Sequence, residues 1–495
     1  MKRYISYIFL LVILASCEGF LDVNENPNAP IVTNLPLSAK LSGALVSTVN
    51  QETLQINQIG GFWGGYWGTN NDGANLYFDL KTYNGPAIRS QREGIPVWEN
   101  GFNNVLYFKL IQKEAELANN HFYMGTSKIM QGWLFLRLVD FYGNIPFDDA
   151  AQGNEKLQPR YEDGQIVYQK AINLITSGIL NLKQSGPIPA TNGDVMFQGN
   201  VDNWIRFANT VKLRALVRQS EVGNDSYVQE QLALISQEGS GFLNQHAQVD
   251  PGYLNTAGKM NPFWERYYRD VQGNATANHQ NIRPTTFLIS QLQDRNDPRL
   301  TKLFQPVNGE FKGVIFGNSD AGDPAFERVN TSAFLGPAEN GSPTGLFRSH
   351  NQASMMMSSF ESLFLQAEAA QRGWISGSPA DFYNRAILES FQLLTVSANE
   401  TSQYIGQAEV ALESAENPLH RIIGQKWLAL NSINSIEAWN DYRRLGWPEY
   451  PATAASGVIG RPFRLMYPET ERGTNIEQVL AQGNDMINQK IWWNR

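Results

Sequence analysis

The side chain most clearly placed for chemistry is a thiol. Cys17 is the only cysteine in 495 residues, and it closes the run Leu14-Ala15-Ser16-Cys17. Lys2 and Arg3 open the chain, and Tyr4 to Ala15 is mostly apolar. A charged start, an apolar middle and small residues before a cut are the pattern of a secretory leader. The apolar run is shorter than the roughly 20 residues that span a bilayer core. Small residues followed at once by cysteine form a bacterial lipobox. The thiol of Cys17 takes a diacylglycerol as a thioether, and cleavage before it frees an amine for a further acyl chain. Each buried CH₂ contributes about 0.8 kcal/mol, and stable anchoring takes more than one chain. The reading is a leader over residues 1–16, lipidation at Cys17, and a mature chain with neither disulfides nor a cysteine metal ligand.

Aromatic side chains are the next group with chemistry to offer. The densest cluster is Gly60-Gly61-Phe62-Trp63-Gly64-Gly65-Tyr66-Trp67-Gly68, followed by Tyr77 and Phe78. Glycines this dense oppose a stable helix or a filled strand, so the sequence predicts a mobile or tightly turned backbone presenting Trp63, Tyr66 and Trp67. The C–H face of a sugar ring stacks on an aromatic ring and leaves its hydroxyls to polar partners. Asn70, Asn71, Asp72 and Asn75 supply such partners nearby. A second candidate is Phe263-Trp264-Glu265-Arg266-Tyr267-Tyr268-Arg269, where Trp264 and Tyr268 share one face at helical spacing and Arg266 reaches hydroxyls or a carboxylate. The competing reading for both clusters is core packing, since large aromatics are mostly buried wherever they occur. Trp439, Trp447, Trp492 and Trp493 are assigned to packing.

Hydrolytic and metal signatures are missing from the sequence. There is no His-Glu-x-x-His and no Gly-x-Ser-x-Gly. The five histidines, His121, His246, His279, His350 and His420, have no metal-ligand spacing to one another. Gly68 to Gly73 with Asp79 falls on the calcium-loop template at its third, fifth, sixth and last positions, but the first position is glycine and the last is Asp rather than Glu. No cofactor is expected, calcium being the one ion weighed. Asp148-Asp149 could serve a glycosidase in principle, yet reads better as solvated charge ending the Phe147 segment. Asp140 and Arg443 read as buried ion-pair candidates.

The elements that must position these groups are helical. Beyond the leader no long apolar run exists, and residues 18–40, with Asn24, Asn26, Pro27, Asn28 and Pro30, read as an extended tether. Apolar periodicity predicts helices from Trp98 to Asn119 and Lys128 to Tyr142, with a turn holding Gly125. The pattern recurs for Ile166–Leu182 with Trp204–Gln219, Phe360–Arg372 with Ala380–Leu394, and Leu419–Ile433 with Ile436–Arg444. Each pair is about the size of a tetratricopeptide unit, near 34 residues, and one pair cannot bury its own apolar face. The intervals near 40–97, 240–350 and 447–475 are rich in Gly, Asn and Pro and read as long loops with short helices and a few strands, and loops of that length are usually functional. Loss of Lys2 and Arg3 takes the formal net charge from −8 to −10. That balance argues against nucleic acid and against electrostatic binding to anionic lipid. Contact with the membrane is expected through the lipid alone.

Several segments in order resemble the SusD/RagB nutrient-uptake lipoproteins of Bacteroidetes. They are Phe20-Leu21-Asp22 with Asn26-Pro27-Asn28 behind Cys17, Leu138 to Phe147, Asp297-Pro298-Arg299-Leu300, Phe364 to Ala369, Gln425 to Leu430, Glu437 to Arg444, and Arg461-Pro462-Phe463-Arg464 with Tyr467-Pro468 before Trp492-Trp493-Asn494. The start at Asn24-Glu25-Asn26-Pro27 and the stretch Leu465 to Glu469 look like a divergent branch of that family. The resemblance implies a mainly α fold in which four tetratricopeptide-like pairs form a right-handed superhelical scaffold under a loop-rich face. It implies a lipidated tether over 17–40 and a single domain over 41–495. It also implies a position on the outer membrane facing the cell exterior, and a SusC-like TonB-dependent transporter as partner.

The functional expectation is a binding protein that captures a glycan or oligosaccharide for that transporter, without catalysis. Trp63, Tyr66, Trp67, Asn71, Asp72, Trp264, Arg266 and Tyr268 are its candidate contacts. The alternative is a lid or scaffold subunit of an importer of peptide or another nutrient, binding little by itself.

Overall fold

The computed structural model describes residues 35–494 except 319–321, 339–340, 343 and 459. The leader, Cys17 and most of the tether lie outside the described residues. The described chain enters a helix at once, α1 (Leu37–Gln51), which buries Leu41, Ala44, Leu45, Thr48 and Val49. A π-helical turn, Glu52–Ile56, leads directly into α2 (Asn57–Trp63). Two sequence expectations are corrected here. The last positions of the proposed tether, Leu37 to Lys40, are helical, and the interval after residue 40 begins with continuous helical structure to Trp63 rather than with a loop carrying short helices.

The correction at Gly60-Gly61 has a packing cause. A Cβ on Gly60 would lie 2.1 Å from the Ile436 backbone nitrogen, and one on Gly61 would lie 2.5 Å from the Trp67 ring. The glycines let two backbones meet. Tertiary contact outweighs their helix cost of about 1 kcal/mol each.

Four antiparallel pairs follow where periodicity placed them. They are α3 (Val97–Leu117) with α4 (His121–Tyr142), α5 (Gly164–Lys183) with α6 (Val201–Arg218), and, beyond a long loop region holding the short α7 (Pro262–Tyr267), α8 (Ser359–Gln371) with α9 (Pro379–Leu393) and α10 (Pro418–Leu430) with α11 (Ile436–Leu445). Local chemistry sets their starts. Asp163 accepts from the Gln165 and Ile166 amides, Asn200 from Asn203, Ser358 from Glu361, and Ser378 and Asn417 cap helices that open on proline. The first turn is not at Gly125, as the sequence suggested. Asn120 caps α4 five residues earlier, and Gly125 lies inside that helix, where a Cβ would press on Leu182 at 2.6 Å.

Four short strands form two antiparallel ribbons. β1 (Trp67–Thr69) pairs with β3 (Ile282–Pro284), placing Trp67 opposite Pro284. β2 (Ala247–Val249) pairs with β4 (Ser354–Met357), placing Gln248 opposite Met355. Among the described residues no helix is long and apolar enough to cross a membrane.

A buried ionic network joins the pairs. Arg137 of α4 meets Glu52 at 3.0 Å and Glu437 of α11 at 2.5 Å. Glu437 also receives Arg218 of α6 at 2.6 Å. Arg214 meets Glu361 of α8 at 3.3 Å, and Arg444 joins Glu368 at 2.5 Å to Asp441 at 3.0 Å. Buried charges cost several kcal/mol each unless paired and hydrogen-bonded, so every member fixes its neighbours. Burial opposes ionisation of Glu437, but Arg218, Arg214 and Arg137 overcome it and hold the carboxyl well below its usual range. Asp140 and Arg443 are both buried but do not pair side chain to side chain. Asp140 meets Arg218 at 3.4 Å, while Arg443 donates to the Asp140 backbone carbonyl at 2.8 Å.

Candidate functional site

The aromatic cluster of the N-terminal helices is core. Trp63, Tyr66 and Trp67 expose 2%, 0% and 1% of their surface, which corrects their reading as ligand contacts. Their polar ends are also spent inside the protein. Trp63 donates to Leu80 O at 3.0 Å, Tyr66 to Trp427 O at 2.6 Å, and Trp67 to Ser432 Oγ at 2.9 Å. Tyr66 stacks on Trp427 with ring centres 4.9 Å apart. The calcium-like segment is similarly occupied. Asn70 accepts from Gly73 N and donates to Gln280 O, Asn71 donates to Asp323 O, and Asp72 accepts from Arg328 N. Asn71 and Asp72 thus tie loops together at the surface.

The second aromatic cluster does border a cavity. α7 ends at Tyr267, so Trp264 and Tyr268 do not share a continuing helix face, yet their rings touch with centres 4.7 Å apart. Tyr268 is buried, stacked on Phe347 at 5.0 Å, and is corrected from contact to core. Arg266 is exposed, and Trp264 is half-buried beside His350, 6.4 Å between ring centres. Trp264 therefore remains available from the surface, next to the turn that walls the cavity.

That cavity holds about 350 Å³ and lies between α7, the β2–β4 ribbon, the turn from Gly345 to Ala353, the end of α9 and the α10–α11 connection. Phe263, Leu346, Met355, Leu393 and Ile433 give it apolar walls. Most of its polar side chains are already committed to its shape. Asn261 caps α7 and donates to Gln352 O at 2.8 Å and Ser354 Oγ at 3.0 Å. Gln352 accepts from the Arg348 and Ser349 amides, which closes the turn. Asn57 donates to Ser432 O at 3.0 Å and accepts from Ser435 N at 2.9 Å, which fixes the floor. Asn434 ties that floor to the ionic network through Glu361 at 2.8 Å.

Three lining side chains have no hydrogen-bond partner among the described residues: Thr53, Gln248 and Arg348. Thr53 is presented by the π-helical turn, a feature frequent at functional sites. Gln248 is presented by β2. Apolar walls with a few unspent polar groups are the usual make-up of a small-molecule pocket. Among the described residues no acidic side chain lines this one. Sequence reading found the neighbourhood through Trp264 and the 240–350 interval, but missed Thr53, Gln248 and Arg348. Nothing in their local sequence separates them from ordinary surface residues.

The fold and the cavity define a helical-repeat protein with a loop-walled pocket. The sequence matches, over residues 32–468, the SusD-like family described as "Starch-binding associating with outer membrane", and the chain belongs to that family. Solved structures share the fold. A SusD homolog from Bacteroides fragilis is 21% identical with a TM-score of 0.73, covering 92% of this chain and 98% of that one. A chitin-binding SusD homolog from Flavobacterium johnsoniae is 19% identical with a TM-score of 0.73 over the same shares. A SusD homolog from Bacteroides uniformis is 22% identical with a TM-score of 0.72, covering 92% and 99%. No curated protein matches the sequence. The mainly helical scaffold of tetratricopeptide-like pairs expected from the sequence is the scaffold observed.

Proposed function

We propose that this protein is a nutrient-binding lipoprotein of the outer membrane. Held by acyl chains on Cys17 and facing the cell exterior, it captures a glycan or oligosaccharide and passes it to a SusC-like TonB-dependent transporter. The observation that carries the reading is the pocket between α7 and the β2–β4 ribbon. Its apolar walls suit the C–H face of a sugar ring, and Thr53, Gln248 and Arg348 are left to meet hydroxyl or charged substituents. Trp264 beside the pocket offers a stacking surface for a further ring. The family's starch-binding description and the chitin-binding relative support a saccharide. A pocket with three free polar groups gives modest affinity, which suits a ligand that must be handed on.

Calorimetric titration of the full chain against panels of oligosaccharides and peptides tests this. Saccharide binding is expected, lost with Gln248→Ala and weakened roughly tenfold with Trp264→Ala, about 1.4 kcal/mol. Trp63→Ala should lower stability instead of acting on the ligand. Binding of peptide alone would move the protein to the peptide importers. Silence across both panels would sink the capture reading and leave a lid or scaffold.

A further inference from the structure

We infer that the captured ligand carries an acidic group, a carboxylate or a sulfate ester, and that Arg348 receives it. The inference rests on the pocket being the ligand site. Across the chain, Asp and Glu outnumber Lys and Arg by 47 to 39, so a cavity whose described lining includes one arginine and no acidic residue is a local reversal. The described arginines of the interior are spent on protein groups. Arg137, Arg214, Arg218, Arg299 and Arg444 meet carboxylates, and Arg443 meets backbone carbonyls. Among the described residues the half-buried side chain of Arg348 meets none. Only its backbone amide is used, donating to Gln352 Oε1 at 2.8 Å, so the turn that Gln352 closes fixes the Arg348 backbone at the cavity wall.

The charge is also felt nearby. Burial lowers the pKa of His246, and the Arg348 charge lowers it further. His246 accepts from the Ser359 amide at 3.1 Å. An uncompensated cation at the edge of an apolar pocket loses water when a ligand enters. A neutral sugar offsets that loss only with uncharged hydroxyl acceptors, whereas a planar carboxylate or a sulfate accepts paired, charge-assisted N–H donors from the guanidinium fork. Thr53 and Gln248 then remain for hydroxyls of the same ring. The ligand class is therefore an acidic saccharide, a uronate or a sulfated sugar.

The test titrates the full chain in 150 mM salt with trigalacturonate, its fully methyl-esterified form, a sulfated carrageenan tetrasaccharide and its desulfated counterpart. At least one acidic probe should bind about tenfold tighter than its neutral twin, the gain of a charge-assisted pair. Which of the two does so identifies carboxylate or sulfate. Arg348→Gln should erase the preference and leave thermal unfolding unchanged, and Arg348→Lys should restore part of it. Equal binding of acidic and neutral twins, or a preference that survives Arg348→Gln, overturns the inference. Neutral saccharides that bind and are lost with Gln248→Ala, without any acid preference, overturn the acidic ligand alone and leave the pocket standing. Absence of saccharide binding overturns both.

Discussion

The guanidinium carbon of Arg443 lies 4.4 Å from the centre of the Trp493 ring. Trp439 also lies against it at 3.5 Å, so an arginine of the last helix pair contacts both its own helix's indole and one near residue 495. Trp493 is fully buried. The C-terminal segment is thereby part of the scaffold. Trp493→Ala should cost about 3–5 kcal/mol of unfolding free energy, the range for large aromatic deletions in a core. Urea unfolding of wild type and variant measures it. A loss under 1 kcal/mol would show that the segment is an appendage.

Acid should act through Glu368. Burial works against its charge, but Arg444, with Arg372 and Lys426, prevails and holds the carboxyl down to about 2. An unfolded glutamate titrates near 4.3, so the folded state binds the proton less readily. The stability this contributes, of order 3 kcal/mol at one pKa unit per 1.36 kcal/mol, is present in full above the unfolded value. It is lost as pH falls from about 4.3 towards 2. Glu368→Gln should be markedly less stable than wild type at pH 7, and the gap should narrow as the pH is lowered to 3. A gap independent of pH would remove the charge from the account.

Gly60 tests why the N-terminal glycines form helix. Its missing Cβ is the space occupied by the Ile436 backbone, which a rotamer change cannot clear. Gly60→Ala should destabilise by about 1–3 kcal/mol or more through overpacking, although alanine is the better helix former. Gly43, in α1 with open space around it, is the control. Gly43→Ala should be neutral or slightly stabilising. Two equal effects in a thermal melt would discard the close-approach explanation.

How much of this was legible varied with the range of the interaction. Helix periodicity is local, so the four pairs could be read to within a few residues except at the start of α4, which begins at His121 rather than Lys128, and the caps at Asp163, Ser358 and Ser378 were present as types. The glycine-rich aromatic run misled because its helix and its burial come from Ile436, Trp427 and Ser432, more than 360 positions away. Trp63, Tyr66 and Trp67 therefore changed from ligand contacts to core, while Trp264, on a short helix between loops, kept a surface.

By itself the sequence determined the helical class, the order of the pairs and the family. These rest on local patterns and on the succession of short motifs along the chain. Only the tertiary structure decided which polar groups are spent and which are free. Asn57, Asn261 and Gln352 have the same chemistry as Gln248, yet the first three hold the pocket together and the last faces into it. Half-buried Arg348 stands apart from the buried arginines because, among the described residues, its side chain has neither a hydrogen-bond nor an ion-pair partner. A free donor is defined by what fails to surround it, and that is a property of three-dimensional packing that no stretch of sequence carries.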